Sequence, residues 1–155
     1  MRILVLSDAH RANFNTIEAI EKEPTAEIVY FLGDGAGDVD SIANAYRDKK
    51  AFIILKGNCD FASNYPESDT RTFEGVKIYA CHGHNESVKM SYFYLKLHAL
   101  SEKCNVILFG HTHYQDYDYD AENGIHYFNP GSIKDGYYGV IDIENDGILF
   151  TEKKL

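Results

Sequence analysis

Five short, largely apolar runs in this chain are each followed within three residues by a histidine, an aspartate or an asparagine. That recurrence constrains the fold more than any other feature. The runs are Ile3–Leu6, Ile28–Leu32, Ala51–Leu55, Val76–Tyr79 and Val106–Phe109. Uninterrupted stretches of this length read as buried strands. Helical periodicities separate the first three, so they read as neighbours in a largely parallel sheet. Ligands of such sheets gather beyond the carboxyl ends of the strands, where the polar residues fall.

The five ends are Ser7-Asp8-Ala9-His10, Gly33-Asp34-Gly35, Gly57-Asn58-Cys59-Asp60, Cys81-His82-Gly83-His84 and Gly110-His111-Thr112-His113. If the backbone stays extended past the strand, residues i and i+2 point the same way, so His111 and His113 enter one space, as do Asp8 and His10. Gly110 lets the chain pass close to whatever sits there. Neutral imidazole is a preferred ligand of zinc, manganese, iron, nickel and copper. Asp8 has an alternative reading as a helix cap. Asn15 and Glu18, however, resemble a capping box of their own, with Ile17 and Ile20 opening the apolar face and Pro24 beyond the end. Asp34, between glycines, reads as sterically exposed at its strand tip. Asp38 reads as a structural cap, because Val39, Ile42, Ala43 and Tyr46 then share one helical face. Asn58 offers a neutral oxygen. Cys59 lacks any recognisable activating base, so it reads as a packed thiol at the edge of the site. His82 joins the set. Gly83 can turn the backbone, so His84 is not assumed to face the same way.

The remaining chain reads as scaffold. Residues 61–71 form a polar loop. Glu74-Gly75 signals a hairpin, and so do Asn123-Gly124 and Asp146-Gly147. Met90, Phe93, Tyr94, Leu97 and Leu100 make a helical stripe expected to face the core. Lys89, Lys96 and Lys103 fall away from it. His98 and His126 read as structural. Asp116, Asp118 and Asp120 alternate with tyrosines as in a strand with one wet face. A calcium loop would need glycine where Ala121 stands and glutamate where Tyr127 stands.

At 155 residues the chain reads as one domain, 1–155. No apolar stretch approaches the roughly 20 residues of a membrane helix. The formal charge of −9 argues against broad affinity for nucleic-acid polymers. Three cysteines without CxxC spacing, and an amino terminus too soon acidic for a secretory signal, point to free thiols in the cytoplasm. No dinucleotide fingerprint or phosphate loop is present.

Asp8, His10, Asp34, Asn58, His82, His111 and His113 are too many ligands for one tetrahedral zinc and suit two metals. Asp34 is then the natural bridge. The ordered blocks Asp-x-His, Gly-Asp, Gly-Asn-x-Asp, His-Gly-His and Gly-His-Thr-His resemble the calcineurin-like metallophosphoesterase superfamily. Chain length and Asn129-Pro130-Gly131-Ser132 make the sequence most similar to its small prokaryotic phosphodiesterase branch. The resemblance implies an αββα-type sandwich of two mixed sheets flanked by helices. It implies one divalent metal at Asp8, His10, Asp34 and His113, and a second at Asp34, Asn58, His82 and His111. Manganese is the expected metal, with iron, zinc and nickel as alternatives. It further implies hydrolysis of a small phosphoester by in-line attack of a hydroxide shared between the metals. Many relatives carry histidine where Cys59 stands. Its loss as a general acid costs ~10²–10⁴-fold on poor leaving groups. His84 is the candidate to compensate, as a phosphate contact or an acid. Asp60 would orient the missing histidine, which leaves its own role open. Arg11 reads equally as a substrate contact and as a surface residue. A protein-binding scaffold of the same fold, like a eukaryotic trafficking-coat subunit, is the competing reading. A homodimer through the tyrosine-rich strands is also expected to be within reach.

Overall fold

Successive residues of a strand face opposite sides, so a strand apolar at every position must be covered on both. The computed structural model describes residues 1–145 and 147–155. In chain order the elements are β1 (Arg2–Leu6), α1 (Asn13–Lys22), β2 (Ile28–Phe31), α2 (Ala36–Tyr46), β3 (Ala51–Ile54), β4 (Ser68–Phe73), β5 (Val76–Cys81), α3 (Phe93–Glu102), β6 (Val106–Leu108), β7 (Gln115–Asp120), β8 (Ile125–Pro130), a 3-10 turn (Ile133–Asp135), β9 (Tyr137–Glu144) and β10 (Gly147–Lys154). They build two five-stranded sheets, ordered β10-β9-β1-β2-β3 and β4-β5-β6-β8-β7. β1, β2 and β3 are parallel, as are β5, β6 and β8. β9 runs antiparallel to the first group, as β4 and β7 do to the second, and the edge strand β10 is antiparallel to β9.

The alternation along β1 generates the layers. Ile3 and Val5 point to the second sheet and pack with Tyr30, Leu55, Ile78, Val106, Leu108 and Phe128. Leu4 and Leu6 point outward, where Ala19 and Ile20 of α1 and Val39 and Ile42 of α2 cover them. The outer face of the second sheet, with Tyr79, Ile107, Phe109 and Tyr127, is covered by Leu95 and Ala99 of α3. The result is the expected αββα sandwich of mixed sheets. No helix among the described residues is long and apolar enough to cross a membrane.

Four local expectations are corrected. Asn15 caps nothing, because α1 begins at Asn13 after Ala12. The Asn15 amide instead donates to the carbonyls of Ile133 (3.0 Å) and Lys134 (3.1 Å). Helix α2 begins at Ala36, which places Asp38 in the first turn rather than at the cap. The polar segment 61–71 is loop only in part, since β4 starts at Ser68 and pairs with β5 through Cys81. The stripe on α3 faces outward, with Met90 87%, Phe93 59%, Tyr94 53%, Leu97 46% and Leu100 46% exposed. Leu95 and Ala99 form a second, shorter apolar spacing on the same helix. Their small cross-section lets α3 lie close against the sheet, and tertiary packing selected that face. The Glu74-Gly75 hairpin forms as expected, with both residues at positive φ. Asp146, half of the last expected turn, lies outside the described residues.

Candidate metal centre

All seven side chains singled out as ligands lie beyond the carboxyl ends of β1, β2, β3, β5 and β6. The backbone that presents them is not extended. Asp8, His10, Asp34, His111 and His113 all have positive φ, between 42° and 68°. Non-glycine residues rarely adopt this conformation, and such strain collects at functional sites where the surroundings enforce it. Asp8 and His10 nevertheless enter one space, with His10 Nε2 4.0 Å from Asp8 Oδ1, whereas His111 and His113 turn to different neighbours. The His113 Nε2 lies 3.2 Å from Asp8 Oδ1 and 3.4 Å from His10 Nε2. The His111 ring packs against His82, with ring centres 5.1 Å apart.

Loop approach is forced by two glycines. A Cβ on Gly57 would sit 2.2 Å from Asp34 Oδ1, and one on Gly110 would sit 1.9 Å from Ser7 Oγ and 2.9 Å from Asp8 Oδ2. What Gly110 admits is thus the Asp8 loop itself. Asp34, expected to be exposed at its tip, is only 3% exposed, because the 57–60 loop closes over it. The Cys59 amide donates to its Oδ1 at 2.7 Å. Asp60, whose role was open, holds these loops together. Its carboxylate accepts hydrogen bonds from the amides of Asp34 (2.8 Å), Gly35 (2.9 Å), Ala36 (3.0 Å) and Gly57 (2.8 Å). It supplies the anionic cap at the amino end of α2 that Asp38 was expected to supply.

The inner shell is acidic and dry. Asp8 and His82 are fully buried. Ser7 Oγ donates to Asp8 Oδ2 at 2.6 Å, and the His111 amide donates to the same oxygen at 3.1 Å. Asp8 Oδ1 is buried with no hydrogen-bond partner among the described residues. His113 lies 3.2 Å from it, His82 3.9 Å and His10 4.0 Å. The His82 Nδ1–H donates to the Leu32 carbonyl at 3.0 Å, which turns the Nε2 lone pair inward. There it meets Asn58 Oδ1 at 3.2 Å and Asp34 Oδ2 at 3.5 Å, both acceptors. A buried carboxylate oxygen without a donor, ringed by lone pairs, fits a divalent cation and little else. Ligating atoms of three sets, Asp8–His10–His113, Asp8–Asp34–His82 and His10–Asp34–Cys59, lie within 4.8 Å of one another and could hold metal.

The protonation equilibria follow. Burial pushes the Asp34 carboxyl up, but the His82 imidazole and the Cys59 amide hold it well below the usual carboxylate range. Burial also pushes His82 down, yet Asp34 and Asp8 beside it raise it above the ordinary histidine value. Burial and the neighbouring His82 push His111 down to about 4. They lower His84 too. The His84 ring lies 5.4 Å from that of His82, and its Nδ1 is buried without a partner. Cys59 is exposed rather than packed, although its Sγ stays within 4.8 Å of ligating atoms of His10 and Asp34 at the rim of the centre. Burial of the sulfur edge and the Asp34 carboxylate push its thiol up. Arg11 is exposed. His98 stacks on Tyr79, and His126 packs among Tyr117, Tyr119 and Phe150, so both are scaffold.

Two residues of the block Asn129-Pro130-Gly131-Ser132, which carried part of the family resemblance, prove to support the centre. The Asn129 amide donates to the Gly110 carbonyl (3.1 Å) and to Thr112 Oγ1 (2.9 Å). Ser132 Oγ donates to the Asp8 carbonyl at 3.0 Å. Both side chains are fully buried. The sequence signal was the block itself, polar at Asn129 and Ser132 just past the strand-forming run Ile125–Phe128.

Residues 1–146 match the family model described as the calcineurin-like phosphoesterase superfamily domain. The chain is 28% identical over 152 residues to YsnB, a probable metallophosphoesterase of Bacillus subtilis, covering 94% of this chain and 86% of that protein. Among solved structures, a predicted phosphoesterase of Streptococcus pneumoniae superposes with a TM-score of 0.84 at 24% identity, covering 99% of this chain and 88% of that one. An archaeal phosphodiesterase gives 0.73 at 22% identity over 99% and 100%. Vps29 of Entamoeba histolytica gives 0.77 at 17% over 100% and 99%. At these identities the three structures speak for the fold alone. The family match covers nearly the whole chain, and the metal-competent cluster sits where the strands of that fold end. The chain therefore belongs to the calcineurin-like phosphoesterase superfamily, a family of metal-dependent phosphoesterases.

Proposed function

We propose that the protein is a dinuclear metal-dependent phosphodiesterase. The observation that carries this reading is the partnerless, fully buried Asp8 Oδ1 facing three histidines. In this reading Asp8, His10, Asp34 and His113 hold one cation, and Asp34, Asn58, His82 and His111 hold the other. Manganese is the favoured metal, with iron, zinc or nickel as substitutes. Two cations supply charge neutralisation for the phosphoryl oxygens and lower the pKa of a coordinated water. The chain's own residues do the rest. Leu32 fixes the His82 tautomer. Asp60 and the left-handed loops hold the ligands in place before substrate arrives. In this reading His84, held neutral by burial and the neighbouring His82, serves as a hydrogen-bond contact to a phosphoryl oxygen, and the same downward shift argues against its acting as the general acid. The similarity to an archaeal phosphodiesterase supports the diester preference, and free thiols fit a cytoplasmic setting.

The test is metal analysis with hydrolysis of bis-p-nitrophenyl phosphate in added manganese. Asn58→Ala and His82→Ala should each abolish turnover while circular dichroism stays native. Full activity in either variant rejects the assignment. A second reading, a protein-binding scaffold, draws on the outward apolar stripe of α3 and the likeness to Vps29. Purified protein without metal and without turnover in any divalent cation would favour it.

A further inference from the structure

Two open depressions abut the metal centre at different edges. One, of about 660 Å³, is lined by Asp40, Cys59, Asp60, Phe61 and Tyr65. The other, of about 810 Å³, is lined by Lys89, His111, His113, Tyr114 and Tyr137. Each contains residues of the centre itself. Cys59 Sγ lies within 4.8 Å of ligating atoms of His10 and Asp34, His113 groups with Asp8 and His10, and the His111 ring packs against His82. Each also carries a large aromatic ring in the ligand-bearing loop that the core does not use. Phe61 is 93% exposed and Tyr114 79%.

The chemistry of the first depression is narrow. Its two carboxylates are already engaged by the chain. Asp60 accepts from four amides, and Asp40 accepts the Tyr65 hydroxyl. No lysine or arginine lines it. Negative charge without a cation repels a second phosphate, and the remaining wall combines the Phe61 and Tyr65 rings and Ala62 with the uncharged Ser63 and Asn64. A volume of this size suits a ring system. The second depression has the Lys89 ammonium and several polar groups, and accepts a wider range of chemistry.

Building on the phosphodiesterase reading above, we propose that the substrate is a diester with a planar, uncharged arm, an aryl ring or a nucleobase. That arm stacks on Phe61 while the second arm lies along Tyr114. The phosphate is common to all candidate diesters and is held by the centre; the pockets select the alcohols.

The test measures competitive inhibition and direct titration of the manganese-loaded protein by dimethyl phosphate, diphenyl phosphate and the methyl ester of adenosine 5′-monophosphate. Diphenyl phosphate should bind at least tenfold tighter than dimethyl phosphate. Phe61→Ala should cut that affinity by about tenfold, as the loss of one stacked ring does, and leave dimethyl phosphate unchanged. Tyr114→Ala should act in the same way on the second arm. Equal binding of the diphenyl and dimethyl esters overturns the proposal, as does a Phe61→Ala protein that binds both as the parent does or weakens both equally. Preference for the adenosine ester over the phenyl ester would name nucleotide-derived substrates, and parity would name aryl esters generally; either supports the planar arm. If the parent protein binds neither dimethyl nor inorganic phosphate and leaves bis-p-nitrophenyl phosphate intact, the phosphodiesterase reading itself has failed. Both rings are exposed, so neither substitution threatens the fold.

Discussion

One carboxylate, Asp60, ties together the loops after β2 and β3, and its removal should be felt in both stability and metal binding. Four backbone amides lose their acceptor in Asp60→Ala. Unfolding in urea should show a loss of about 3 kcal/mol, the cost of a buried charge-assisted cluster. Manganese affinity should fall as well, because Asp34 is no longer pinned. Protonation gives a second residue-level prediction. Burial pushes His111 down to about 4 and lowers His126. Between the ordinary histidine value of about 6.5 and those depressed values, the unfolded chain binds more protons than the folded one, so stability falls as pH falls. His82 is shifted upward and offsets part of this. The Tm of metal-free protein should drop between about pH 7 and pH 4.5, read by circular dichroism; an unchanged Tm would reject the direction assigned to His111. The ligands themselves were legible because each is a metal-competent type at the end of an apolar run. Their conformation was not. Left-handed φ at five of them is imposed by contacts to loops distant in sequence, such as Asp60 on Asp34 and Ser132 on the Asp8 carbonyl.

Helix α3 shows how an element can carry two apolar faces and bury the smaller one. Leu95→Ala should cost ~2–5 kcal/mol in urea unfolding, as for a core leucine. Leu97→Ala and Leu100→Ala should stay within ~0.5 kcal/mol. The reverse order would mean that the longer stripe packs inward. Periodicity reported that a helix exists but could not choose its face, because both spacings satisfy a 3.6-residue repeat and only the shape of the Tyr79–Ile107–Tyr127 surface decides. Strands were easier. β2 and β6 are apolar at every position and β1 at every position after Arg2, which leaves no freedom about burial. The strand β4 was missed over its first residues because its alternation is polar at an exposed sheet edge.

Across the whole molecule, the two sheets bring five strand ends to one rim, where metal-competent side chains converge. Manganese at 100 times its dissociation constant should stabilise the fold by about 2.7 kcal/mol. For a chain of this size that raises the Tm by roughly 5–10 °C, reversed by a chelator. Absence of any shift would remove the metal centre from the account. While the αββα layering came from the family resemblance, the chain alone carried the strand runs, the parallel grouping of the first three and the identity of the metal-competent groups. These depend on local apolar patterning and residue chemistry, which travel with the chain. Only the tertiary structure decided which side of the centre each histidine serves, that Asp34 is covered and Cys59 exposed, and that Asp60, Asn129 and Ser132 hold the loops. Those outcomes arise from contacts between segments far apart in the chain, where short-range pattern carries no distance information.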